Sequence, residues 1–230
     1  MKKYIAMLAG VGTAVALVAG LPGAIGGGDD RPDVRIHEAA ADYPAFSDLG
    51  ALDRSSSSVV RGVVESVGAP YRVVPPGLPI DQLPAHKAAH VGVVQTDVTV
   101  KVTRTLSGAD LTGERIVVSQ PGGQIGDDRI VVEEEPATEK GEPYVLFLTR
   151  FPDGTFGIVG GPQGRYQVKD DKLVNLGDHT RGKGVGRQLH GLKLADLERD
   201  YRSLAAKSEE KGGPGERQEP LGPTNSTPKD

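Results

Sequence analysis

The sequence predicts a mainly β protein, a small β-barrel or sandwich with a C-terminal α-helix and disordered ends. Three segments carry this. "TDVTVKVTRTL" (residues 96–106) alternates, with Val98, Val100, Val102 and Leu106 on one face and Asp97, Thr99, Lys101, Thr103 and Thr105 on the other. That is the period of a strand with one buried side. "PYVLFLT" (143–149) is a continuous apolar run, as expected of a central strand covered on both faces. "LKLADLERDYRSLAA" (192–206) changes period and aligns Leu194, Leu197, Tyr201 and Leu204 in one helical stripe.

The elements follow in order. Lys2 and Lys3 precede an apolar stretch from Tyr4 to about Leu21. This reads as a signal peptide or N-terminal membrane anchor over residues 1–28, with the body secreted or held outside the cytoplasm. Residues 29–46, polar and acidic with Ala and Pro, read as a spacer. Ser47 is placed to cap a short helix carrying Leu49 and Leu52. In "SVVRGVVESV" (58–67), Val60, Gly62 and Val64 share a strand face. A mid-strand glycine implies a sharp bend or a close backbone, as in a barrel's first strand. "YRVV" extends this strand or starts a return. Residues 75–90 hold four prolines and read as an excursion from the sheet. "SGADLTGE" is a turn and "RIVVSQ" a strand. "DGTFGIVGG" and "GRYQVKDDKLVNL" read as hairpins, turning at Asp153-Gly154 and Asp170-Asp171. Residues 207–230 have the composition of a disordered tail.

Composition excludes several functions. The net charge is -4, and loss of Lys2 and Lys3 by cleavage leaves -6. Such a surface gives no attraction to nucleic acid or anionic lipid. Aromatics are 4% with no Trp, which undersupplies stacking sites for bases and sugars. Cysteine is absent, which removes disulfides, Cys-zinc sites, thiol nucleophiles and lipoprotein attachment.

Candidate chemistry is sparse. In "IVVSQPGGQIGDD" (116–128) the glycines suggest a phosphate loop, but Asp127 and Asp128 would repel phosphate and a strand-like "RIVVEEE" follows where a helix is required. The expected reading is a strand end with a mobile glycine-rich loop. "HKAAH" sets His86 and His90 at metal-ligand spacing, but Lys87 stands where a zinc hydrolase needs Glu and no third ligand is identifiable. The runs Asp127-Asp128, Glu133–Glu135 and Asp170-Asp171 lack calcium-loop spacing and read as solvated faces or turns. "RSSSSVV" lacks the glycines of a nucleophile turn. Gln163, Arg165 and Tyr166 in "GGPQGRYQV" form a polar-aromatic group and are the candidate binding surface. The alternative packs Tyr166 at a barrel end.

The order of motifs resembles that of largely uncharacterised exported bacterial proteins. "LGALDRSSSSVVRGVVESV", "VTVKVTRTLSG", "VVSQPGG", "KGEPYVLFL", "GIVGGPQGRYQV" and "LADLERDYRSL" occur in their sequence over residues 47–206; Ser107 stands where many relatives have Lys. The pattern is also similar to the N-terminal domain of tissue inhibitors of metalloproteinases, through V-x-G-x-V, the long strand ending near Gly108, and "GEPYVLF" (141–147). The resemblance implies an OB-like barrel domain over residues 47–206. It does not imply metalloproteinase inhibition, which uses an N-terminal Cys to chelate the target's zinc, because this chain has no Cys. The expected function is an exported, non-enzymatic, monomeric module without cofactor that binds a protein or cell-envelope component. The alternatives are a metal-dependent envelope hydrolase using His86 and His90, and a membrane-tethered structural protein.

Overall fold

The computed structural model describes residues 14–17, 34–74, 82–84, 91–132, 135, 137–177 and 182–210. The strands are β1 (Ala14–Leu17), β2 (Arg35–Asp42), β3 (Ser58–Val67), β4 (Tyr71–Val73), β5 (Val93–Gly108), β6 (Arg115–Pro121), β7 (Gly123–Ile125), β8 (Asp128–Val132), β9 (Pro143–Arg150), β10 (Phe156–Ile158), β11 (Arg165–Lys169) and β12 (Lys172–Asn175). The helices are α1 (Leu49–Arg54), α2 (Gly184–Leu189) and α3 (Leu194–Glu210), with a 3₁₀ turn at Gly161–Gly164. Among the described residues, no helix is long and apolar enough to cross a membrane.

Five strands close a ring. β3 pairs with β5 and β9, β5 pairs with β6, and β10 joins β6 in parallel to β9 in antiparallel. This ring is the mainly β architecture that the alternating and continuous apolar segments predict. β4 adds to β5, and β11 and β12 continue the sheet beyond β9. A smaller sheet runs β1-β2-β8-β7, with β2 parallel to β8.

Two cores follow from the alternation of side chains. Val60, Val64, Val98, Val100, Val102, Tyr144, Leu146 and Leu148 fill the ring. Val59, Val145 and Phe147 point outward and pack against Leu52, Leu173, Leu189, Leu197 and Tyr201. Both faces of β9 are thereby covered, which is why its sequence does not alternate. Gly62 permits a close approach of β3 and β5: a Cβ there would lie 2.5 Å from Val100 Cγ1 and 2.9 Å from Lys101 O. The β3–β5 ladder shifts register between Val59 and Val60, between Arg61 and Gly62, and between Val64 and Ser66. At the first shift Val60 pairs with Thr105 and Val59 with Ser107, so Leu106 is the extra residue. A bulge breaks side-chain alternation there. Leu106 accordingly leaves the Val98–Val102 face and packs with the helical core, unlike the sequence expectation.

Three further expectations change. Residues 35–42, read as spacer, are β2, so the folded unit starts well before residue 47. Their Ala-rich, charged composition hides a strand whose partner, β8, lies about ninety residues away, as in the 91-residue separation of His37 and Asp128. The glycine-rich stretch after β6 is the β7–β8 hairpin, built into the smaller sheet. The cap of α1 is Asp48, whose Oδ1 accepts from Ala51 N at 2.9 Å, while Ser47 donates to Asp48 Oδ2 at 2.7 Å. Asp170 and Asp171 turn the β11–β12 hairpin at positive φ, 48° and 57°, as the turn signal predicts. The apolar N-terminal stretch, apart from β1, and the tail beyond residue 210 lie outside the described residues.

Candidate functional site

Gln163, Arg165 and Tyr166, expected on a binding surface, are buried, at 8%, 3% and 0% exposure. The reason is local. β11 lies between β9 and β12, and its first four residues are buried on both faces. Gln163 uses its whole amide inward: Oε1 accepts from Phe46 N and Nε2 donates to Pro44 O, each at 2.9 Å. Arg165 Nη1 donates to Gln120 Oε1 and Thr138 Oγ1, each at 2.9 Å, and Thr138 donates to Gln120 Oε1 at 2.6 Å. The Arg165 charge also acts on Glu135, whose Oε1 accepts the Tyr43 hydroxyl proton. Burial pushes the Glu135 carboxyl above its ordinary range, with Arg165 and Tyr43 opposing. Burial likewise raises the Tyr43 hydroxyl, and the Glu135 charge adds to it. Gly161, at φ +54°, lies under the Tyr43 ring, where a Cβ would stand 2.5 Å from ring carbons. These groups fasten the segment between β2 and α1 onto the ring. Their donors and acceptors face one another, as a buried polar network requires.

The other sequence candidates separate. His86 and His90 lie outside the described residues, as do Glu133 and Glu134. Among the described residues no group of three or more His, Asp or Glu side chains is placed to hold a metal ion. Asp128 is not part of a solvated face: it is 8% exposed and pairs at 3.0 Å with both Arg35 Nε and His37 Nε2. The serine run serves backbone. Ser55, Ser56 and Ser57 donate to Ala51 O, Leu52 O and Leu148 O.

A charged cleft of about 540 Å³ opens between the start of α3 and the β11–β12 turn. Arg61, Lys172, Lys193, Asp170, Asp171 and Glu198 line it. Its walls are joined by backbone. Leu173 N donates to Leu192 O at 2.9 Å and Leu194 N to Asp171 O at 2.8 Å, so Lys172 and Lys193 form an isolated antiparallel bridge. Glu198 projects from α3 onto the sheet. Its Oε2 accepts from Arg104 Nη1 at 2.6 Å. Its Oε1 stands 3.7 Å from Arg61 Nη1, an ion-pair separation too long for a hydrogen bond, and is buried without a hydrogen-bond partner. The sequence held one signal for this residue. Leu194, Leu197, Glu198 and Tyr201 have the i, i+3, i+4, i+7 spacing of a buried helix face, so Glu198 is a charge inside the apolar stripe. Arg61, Lys172 and Lys193 gave no such signal, because each reads as an ordinary outward charge on a strand or loop.

No protein-family model matches the chain, and no curated protein is significantly similar to it.

Proposed function

We propose that the protein is an exported, non-enzymatic binding module whose partner, a protein or cell-envelope component, docks at the α3 cleft. The observation that carries this is the cleft itself, a concavity of about 540 Å³ with ionic groups of both signs on walls joined by backbone hydrogen bonds. Fixed charges around a preformed concavity select a partner by charge pattern. Export is supported by Lys2 and Lys3 ahead of the apolar N-terminal stretch. Kinship with the exported bacterial proteins and with the inhibitor domain belongs to the same proposal, supported by the ring of strands and the ordered motifs. The hydrolase alternative rests on His86 and His90, and no described geometry favours it.

The test is crosslinking capture from a native cell-envelope fraction, with the full chain as bait. A bait starting at residue 47 would discard β2 and the residues that Gln163 and Glu135 hold. The expected result is one dominant partner, lost when Lys172→Ala and Lys193→Ala are combined in a bait that melts normally. Empty capture with folded bait, or capture indifferent to the cleft variant, would overturn the proposal.

A further inference from the structure

The apolar N-terminal stretch has a seat in the fold, and that seat competes with a membrane; the inference rests on reading the stretch as an export signal or anchor. β1 lies inside the stretch and pairs antiparallel with β2, with Ala14 opposite Asp42, Val15 opposite Ala41, Ala16 opposite Ala40 and Leu17 opposite Ala39. The β2 backbone offers one edge to each neighbour. Arg35 N donates to Asp127 O at 2.7 Å, at the head of β8, and successive residues of a strand alternate in direction. Arg35, His37 and Ala39 therefore aim their N–H and C=O groups at β8, and Ala40 and Asp42 aim theirs at β1. The β2–β8 register ends at Ala39, so Ala40–Asp42 pair with β1 alone. This covered edge holds neither lysine nor proline, the residues that keep a foreign strand off an open edge. A helix crossing a bilayer needs about 20 consecutive apolar residues. The uncharged stretch offers residues 4–28. With 14–17 in the sheet it is divided into 4–13 and 18–28, ten and eleven residues, and neither piece is long enough. Nor can the sheet follow β1 into lipid, because β2 carries Arg35, Glu38 and Asp42.

We infer that the apolar stretch has two mutually exclusive seats, the β2 edge and a lipid bilayer, and that pairing with β2 withholds it from the membrane. The folded body then inhibits its own membrane insertion. A membrane-engaged chain, in turn, leaves the β2 edge open at Ala40 and Asp42.

The test uses the full chain and vesicles of phosphatidylethanolamine and phosphatidylglycerol, whose anionic headgroups also suit Lys2 and Lys3. Without vesicles, the amides of Ala14, Ala16, Ala40 and Asp42 should exchange slowly with solvent, as paired amides do. In flotation, the native chain should bind the vesicles weakly. Ala40→Pro removes the N–H aimed at β1 and spares those aimed at β8. It should raise vesicle binding by about tenfold or more, because apparent affinity scales with the fraction of chains whose stretch is free. Adding Val11→Asp, outside β1, should return binding to background, since a charge within the stretch opposes insertion. Fast exchange at Ala16 and Ala40 of the native chain would overturn the inference without any variant that has to fold. So would equal vesicle binding by the native chain and Ala40→Pro. The two readings fail separately. Strong vesicle binding by the native chain keeps the membrane-active stretch and removes the masking. Slow exchange at β1 with no vesicle binding by either chain removes the membrane seat, and the export reading with it.

Discussion

Tyr43 is half-buried and Tyr166 fully buried, and they should respond differently to loss of the hydroxyl. Tyr43 donates to buried Glu135, so Tyr43→Phe strands a carboxylate oxygen and is expected to cost about 1–3 kcal/mol. The Tyr166 hydroxyl is buried beside Asn175 without a well-formed hydrogen bond, so Tyr166→Phe should change stability by less than about 1 kcal/mol. Urea unfolding of both variants checks the contrast. Glu135 gives a pH signature. Its carboxyl is raised by burial above the ordinary 4.5, so the folded chain takes up this proton before the unfolded chain does. As pH falls through the raised value toward 4.5, this group's contribution to stability grows. Glu135→Gln should remove that gain, and the difference between native and variant urea midpoints across the range measures it. None of this was legible at the level of single residues. "GRYQV" shows a polar strand, and only the covering of β11 on both sides turns Arg165 and Gln163 from surface groups into fasteners.

β2 is the element on which most of these fastenings converge. It pairs with β8, and the residues just after it meet Glu135 and Gln163. Removing residues 1–46 would leave Asp128, Glu135 and the Gln163 amide with lost partners. The truncated chain should unfold at a markedly lower urea concentration than the full chain, by about 3 kcal/mol or more, given the usual cost of each stranded buried group. An unchanged midpoint would show that the segment is an appendage. Elements with an internal signature were readable. β5 alternates, β9 is apolar throughout, α3 has its stripe, and the Asp170-Asp171 turn is where the pattern puts it. β2 was not readable, because its strand character comes from a partner distant in the chain. The end of β5 was misread because a bulge at Leu106 is set by the ladder with β3 and leaves no mark on the alternation.

Across the whole molecule, several tyrosine hydroxyls are shifted in one direction. Burial is the largest cause raising Tyr43, Tyr166 and Tyr201 above the ordinary 10.0, with Tyr144 and Tyr71 shifted the same way. Above pH 10 the unfolded chain releases these protons while the folded chain keeps them, so stability should fall with rising pH. A melting series from pH 9 to pH 11 should show the fall, and Tyr166→Phe should lessen it without disturbing the neutral baseline. The architecture has a further consequence, in time. Ser57 meets Leu148 across 91 positions, and the Tyr201 hydroxyl donates to Asp53 Oδ1 across 148. A chain made from its N-terminus therefore cannot complete the ring core until Phe156 has emerged, nor the helical core until Tyr201 has. During synthesis the polypeptide stays open and pliant, and once released it folds slowly, because so many pairings must wait for distant partners.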